Sequence, residues 1–250
     1  MVSVIYEDKN FVALNKPAGL LTHPLRGRDE SALTDWIIKH YPEAMSVGDD
    51  PENRPGIVHR LDKDTSGIIL IARNNETFDY FKKLFQAHQV KKTYLALVHG
   101  RVSPKTGLVN QPIRLKKNSI RRTLHLGKNA KPAVTEYRVL KVLNSRPYKD
   151  YRSYMSGEEP AYFSLLEVTP QTGRTHQIRV HLKSIDHPVV GDKLYSFRSL
   201  QGAEALAASL GLKRQFLHAE SLEFSLPGGR RMKLTADLPE DLQNFLNRLY

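Results

Sequence analysis

Short apolar runs separated by turn formers dominate this chain, and their spacing predicts strands more often than helices. Val2 to Tyr6 and Phe11 to Asn15 read as two strands joined by the turn Glu7-Asp8-Lys9-Asn10. Ser31 stands where it would cap a helix through Trp36 to His40, and residues 43–56, with two Pro, two Gly and four acids, read as a loop. Ile68-Ile69-Leu70-Ile71-Ala72 has no polar alternation and predicts a buried strand. From Glu76 to Gln86 the residues Phe78, Phe81, Leu84 and Phe85 recur at helical spacing, an aromatic stripe that belongs to a core. Tyr94 to His99, Val109 to Ile113, Arg122 to Leu126 and Ala133 to Val142 read as strands with basic residues interleaved, and Asn144 to Pro160 as a polar loop. A further strand, Tyr162 to Val168, is followed by a helix over Gly202 to Leu210. A hairpin of Leu222 to Leu226 and Met232 to Ala236 turns at Pro227-Gly228-Gly229, and a last helix runs from Pro239 to Leu249. Strict βαβ alternation is missing, so the pattern predicts a single α+β domain over residues 1–250 around a mixed, mostly antiparallel sheet with flanking helices. There is no internal repeat.

Two polar runs stand out against this background. Arg54-Pro55-Gly56-Ile57-Val58-His59-Arg60-Leu61-Asp62-Lys63-Asp64-Thr65-Ser66-Gly67 sets carboxylates, a histidine and basic residues directly ahead of the buried strand. A rigid sheet can hold reactive groups on such a loop. Asp62 and Asp64 share a face if the segment is extended, and the residues alone favour Asp62 only slightly. The second run, Thr172-Gly173-Arg174-Thr175-His176-Gln177-Ile178-Arg179-Val180-His181, follows the strand Tyr162 to Val168. His176 and His181 lie five apart, where two ligands on one helix face need three or four, and no H-E-x-x-H pattern is present, so no metal site is expected. His59, His176 and His218 are expected to make structural hydrogen bonds.

Taken together, H-R-L-D-x-x-T-S-G and T-G-R-T-H-Q-I-R-V-H resemble the RluA-type pseudouridine synthases. Lys16-Pro17-Ala18-Gly19, His23-Pro24, Lys92-Thr93-Tyr94-Leu95-Ala96, His187-Pro188-Val189-Val190-Gly191-Asp192 and Leu217-His218-Ala219 extend the resemblance over nearly the whole chain. It implies a long bent sheet with a central basic cleft and the conversion of uridine to pseudouridine in structured RNA, without cofactor or metal. It implies Asp62 as the catalytic carboxylate. Asp64 is then expected to act as a turn acceptor for Thr65-Ser66-Gly67. Tyr94, which by itself reads as a core residue, becomes an active-site ring that stacks on the uracil. Arg179 falls at the family's basic residue and is expected to hold Asp62 ionised, a duty from which arginine cannot escape by deprotonation. Arg60 is expected to fill the space that the flipped uridine leaves, and Arg174 to contact phosphate. No separate N-terminal RNA-binding module of the kind many relatives carry is expected, because the pattern starts within the first ten residues.

Charge sharpens the choice of partner. Of the net +12 of the 250 residues, segment 91–149 alone supplies +14, from 15 Lys or Arg against one acid, Glu136. A single-sign field of this size attracts polyanions and releases their counterions, and no amphipathic basic helix is present to suggest a membrane surface. Lys116, Lys117, Arg121 and Arg122 are therefore candidate RNA contacts. The chain has no cysteine, which excludes disulfides and thiol chemistry and suits a reducing cytoplasm. No long apolar stretch follows Met1, so the chain reads as complete and without a signal peptide or membrane span. A monomer acting on RNA is expected, with ribosomal RNA favoured over transfer RNA. A noncatalytic RNA-binding module and a metal-dependent nuclease using Asp62 and Asp64 are the rival classes. A nuclease would need a divalent ion and shorten its RNA, and a binder would do neither.

Overall fold

The apolar runs become strands of two compact units, Met1–Thr93 with His218–Asp237, and Tyr94–Leu217 with Leu238–Tyr250. The computed structural model describes residues 1–24, 30–117, 119–125, 127–144 and 161–249. The mixed, mostly antiparallel α+β organisation expected from the pattern is present.

In the first unit, β1 (Ser3–Glu7), β2 (Phe11–Lys16), β3 (Ser66–Ala72), β10 (Leu217–Ser225) and β11 (Arg231–Thr235) lie in the order β1-β2-β3-β10-β11. Asp8 makes the first turn, its Oδ1 accepting from the N–H groups of Asn10 at 2.8 Å and Phe11 at 2.9 Å. Every residue of β3 is buried, which is why Ile68 to Ala72 reads as an unbroken apolar run. β3 runs antiparallel to β2 but parallel to β10, with Ser66 opposite His218 and Gly67 opposite Ala219. Gly67, at φ +117°, is required there, since a Cβ would overlap the carbonyl of Ala219. Helix α1 (Leu33–His40) starts from Ala32, whose N–H donates to Asp35 at 2.8 Å, so the cap lies one residue beyond the Ser31 expected from the sequence. Helix α2 (Asn75–Gln86) is capped by Asn74 and buries Phe78, Phe81 and Leu84 as expected, whereas Phe85 of the same stripe stays half-buried. The Phe81 ring meets Phe11 and Phe224 edge-on, at 5.1 and 5.3 Å between centroids.

In the second unit, β4 (Lys91–His99), β5 (Thr106–Asn110), β8 (Val134–Asn144) and β9 (Tyr162–Pro170) form the antiparallel order β4-β9-β8-β5. Alternation along β4 separates two cores. Ala96 and Val98 pack with Leu166, Val168 and the residues Ile178 and Leu182 of helix α3 (Gln177–Ser184). Leu97 packs with Phe163, Phe216, Ala207 of α4 (Gln201–Ser209) and Leu242, Phe245 and Leu246 of α5 (Glu240–Arg248). A separate ribbon pairs β6 (Arg114–Leu115) with β7 (Arg122–Thr123).

Strand limits differ from expectation where basic residues break the pattern. The strand read as Val109 to Ile113 is Thr106–Asn110, and that read as Arg122 to Leu126 shrinks to two residues, Leu126 lying outside the described residues. Of the polar segment 144–160, Asn144 ends β8 and the rest lies outside them. Among the described residues no helix is long and apolar enough to cross a membrane.

Candidate functional site

Asp62 sits in the first unit on the loop that enters β3, half-buried, two residues ahead of the equally half-buried Asp64. Buried polar groups clasp the peptides on both sides of it. Thr22, 3% exposed, accepts the Leu61 N–H at 3.2 Å and donates to the Leu61 carbonyl at 2.8 Å. The fully buried Lys16 ammonium donates to the carbonyls of Pro17, Leu20 and Lys63 at 2.9, 2.8 and 3.0 Å. The Lys63 carbonyl also accepts the Gly19 N–H, and Thr65 N–H closes a turn onto the Asp62 carbonyl. These bonds fix the backbone around Asp62, an arrangement that pre-orients a reacting group.

Two histidines brace the same loop. His59 stacks on Phe85 at 4.6 Å and its Nε2 accepts the Leu70 N–H at 2.9 Å, which puts the ring proton on Nδ1. Burial, and behind it the charge of Lys92, pushes its pKa down to about 3, so the ring is neutral and can accept. Lys92, 7% exposed, is itself lowered to about 8 by burial. His23 Nδ1 lies 3.0 Å from the Pro24 carbonyl, which leaves Nε2 to accept from Arg60 Nη1 at 3.2 Å. Burial keeps this imidazole below its usual range against the opposing hydrogen bond to Pro24, with the charges of Arg54 and Arg60 adding to burial and Asp50 opposing them. The Arg60 residue remains exposed while its guanidinium is steered by a neutral acceptor.

Tyr94 and Arg179 belong to the second unit. Tyr94 lies opposite Val168 on β4, partly buried against the Val98 and Val168 core. Arg179 projects from α3, whose start is locked by Gln177. The amide oxygen of Gln177 accepts from Thr172 and the Arg174 N–H, and its nitrogen donates to Val134 and Thr135. Arg179 is 5% exposed and grips Asp192 with two parallel bonds, Nε to Oδ2 at 2.7 Å and Nη2 to Oδ1 at 2.8 Å. Asp192, 1% exposed, also accepts the N–H groups of Leu194 and Tyr195. Asp192 stands inside a motif of the sequence, where nothing local assigned it a role. Its burial could not be read from a short loop, although an acid after Val189-Val190-Gly191 hints at a fixed turn.

Of the basic candidates, Lys116, Lys117 and Arg121 are exposed on the segment between β6 and β7, and Arg122 and Arg174 are half-buried. The Arg174 guanidinium donates to the Pro132 carbonyl at 3.1 Å. On α3 the Lys183 ammonium is held below its usual range, chiefly by burial, then by Arg121, with Lys116 adding to the effect and Asp192 opposing it. The ribbon and α3 thus present converging positive charge.

The histidines behave as expected. His176 Nδ1 is 2.9 Å from the Tyr195 hydroxyl, and His218 bridges Ser66 and the Ala236 carbonyl at 3.0 Å each. Lys16 and Thr22 went unrecognised as functional. A lysine ending the apolar run of β2 was the available signal, since a charge in a buried strand demands internal acceptors. Among the described residues no three His, Asp or Glu come together as a group that could hold a metal ion.

The family model described as RNA pseudouridylate synthase matches residues 10–184. An uncharacterized RNA pseudouridine synthase of Chloroflexus aurantiacus is 40% identical over 237 residues, 94% of this chain and 65% of that protein. The ribosomal large subunit pseudouridine synthase D of Zymomonas mobilis is 34% identical over 244 residues, 97% of this chain and 71% of that one. This chain therefore spans about two thirds of the length of these relatives. Among solved structures, the human RNA pseudouridylate synthase domain containing 4 is similar with a TM-score of 0.68 and 28% identity, over 99% of this chain and 92% of that chain.

Proposed function

Because the chain belongs to the RNA pseudouridylate synthase family, we propose that it isomerises uridine to pseudouridine in RNA, with Asp62 as the reacting carboxylate. One observation carries this reading: the matched segment contains the loop on which Thr22 holds Leu61, directly before Asp62, and Lys16 holds the carbonyl of Lys63, directly after it. The reaction breaks the bond between the sugar's anomeric carbon and N1, turns the uracil, and joins the same carbon to C5. The C5 proton is lost and N1 gains one, so substrate and product are isomers and no oxidant, reductant or cofactor is consumed. A carboxylate near the anomeric carbon and C6, a route for one proton and exclusion of water are what the protein supplies. Tyr94 takes the role of the ring stacked on uracil and Arg179 that of the fixed cation. Arg60, Arg174 and the basic segment of Lys116, Lys117, Arg121 and Arg122 hold RNA.

Large-subunit ribosomal RNA is the proposed substrate, supported by the name of the Zymomonas mobilis relative. The absence of cysteine supports a cytoplasmic setting. Asp62→Asn tests the assignment. It removes the reacting oxyanion at constant volume and should lower turnover on unmodified large-subunit RNA by at least about a thousandfold, with RNA affinity within about twofold of native. Asp64→Asn should retain most activity. Pseudouridine formation by Asp62→Asn near the native rate would refute the role of Asp62, and mapping pseudouridine in cells with and without the gene identifies the nucleotide.

A further inference from the structure

Tyr195 ties together groups of the second unit to which the proposed function gives separate tasks. It is 3% exposed, in a small core with Ile113, Ala133 and Val180. Its ring lies 5.1 Å from the guanidinium carbon of Arg179, and its N–H donates to Asp192 at 3.1 Å, the carboxylate that grips that arginine. Its hydroxyl accepts the backbone N–H of Arg122 on β7 at 2.7 Å and lies 2.9 Å from His176 Nδ1.

A buried tyrosine ordinarily finds some partner for its hydroxyl, so one hydrogen bond would mean little. The partner here is the ribbon that carries Lys116, Lys117, Arg121 and Arg122. Its paired strands are two residues each, and Ile120 and Leu115 are 69% and 51% exposed. Arg122 Nε is buried without a hydrogen-bond partner among the described residues. Lys116, Arg121 and Lys183 crowd like charges together, a repulsion that phosphates would relieve. A two-stranded ribbon this short is marginal by itself, so a polyanion that binds it can displace it. The phenol is rigid between ring and hydroxyl, so displacement at Arg122 is passed to the ring that supports Arg179.

We propose that Tyr195 is a positioning residue that links the seating of RNA on the β6–β7 ribbon to the orientation of Arg179. This rests on the reading of the chain as an RNA pseudouridine synthase. It makes turnover depend on correct engagement of the ribbon, so that RNA bound only elsewhere reacts slowly.

The test compares native protein, Tyr195→Phe, the ribbon variant with Lys116, Lys117, Arg121 and Arg122 all changed to Gln, and their combination, on an unmodified large-subunit RNA transcript. Tyr195→Phe keeps ring and volume and deletes the hydroxyl. It should leave RNA affinity within about twofold and lower the rate at saturating RNA roughly tenfold, the weight of one hydrogen bond in a barrier. The ribbon variant should lose both affinity and saturating rate, and the combination should lose no more rate than the worse single variant. A native saturating rate in Tyr195→Phe, or rate losses that multiply, would overturn the link.

Hydrogen exchange separates the two readings. RNA should slow exchange in residues 189–196 of the native protein and not of Tyr195→Phe, whose fold is checked by thermal unfolding. If RNA protects the ribbon alone in both, the link is wrong and the catalytic reading stands. If the native protein converts no uridine while the exchange pattern holds, the catalytic reading falls and the link stands.

Discussion

Breaking the pair of Arg179 and Asp192 should destabilise the second unit at least as much as removing it whole. Asp192 is 1% exposed and accepts four N–H groups, two from Arg179 at 2.7 and 2.8 Å and two from the backbone of Leu194 and Tyr195. Arg179→Met leaves a buried carboxylate with its two backbone donors, a loss of about 3–5 kcal/mol by analogy with other buried pairs stripped of one partner. Asp192→Asn takes the carboxylate charge away from the guanidinium instead and points an amide N–H at its donors, for a similar loss. The double variant carries neither charge, so its loss should approach that of either single variant or fall below it, a coupling of about 3 kcal/mol. Arg179→Lys keeps the charge, loses the parallel pair and should fall between native and Arg179→Met. Urea unfolding followed by circular dichroism reads the difference. With a slope of about 3 kcal/mol per molar urea, a 4 kcal/mol loss moves the midpoint by about 1.3 M. Losses of the two single variants that add to within about 0.5 kcal/mol in the double would refute the pairing argument.

Two other expectations follow from the geometry. His59 has its pKa depressed to about 3 when folded, against an ordinary 6.5, so it contributes stability that is complete above pH 6.5 and is lost as the pH falls toward 3. His59→Gln can keep an acceptor for Leu70 N–H without titrating. Native protein should lose about 2 kcal/mol more than this variant between pH 7 and 5, and equal losses by denaturant titration at the two pH values would contradict the burial of the ring. Neutralising Lys116, Lys117, Arg121 and Arg122 should flatten the slope of log affinity against log salt by roughly 0.7 to 0.9 for each phosphate that is no longer neutralised. An unchanged slope would move the RNA-binding face elsewhere.

Local pattern carried a large part of the fold. Strands with one buried face or two, such as β3, and the stripe of Phe78, Phe81 and Leu84 depend on burial periodicity over a few neighbours, and periodicity is written in the chain. Strand limits around the basic segment were misplaced because interleaved lysines and arginines erase the alternation that marks a boundary. Asp62 and Arg179 stood out because each lies in a long, low-degeneracy motif, and the net charge of segment 91–149 located the RNA-binding candidates by counting alone.

What holds those residues was beyond sequence reasoning. Thr22 and Leu61 are 39 positions apart, and Lys16 and Lys63 are 47 apart. Tyr195 reaches Arg122 across 73. Such pairings follow from strand order and from which short polar groups end up desolvated, and neither is encoded in a local period. A lysine on β2 or an aspartate after a glycine looks solvated until the fold buries it, and once buried it must find acceptors or an opposite charge. The sequence by itself therefore determined the family, the strand-rich pattern and the reactive types. Tertiary structure alone decided that Asp192 grips Arg179, and that Thr22 and Lys16 set the peptides around Asp62, because buried hydrogen bonds are satisfied by whatever the fold brings within about 3 Å.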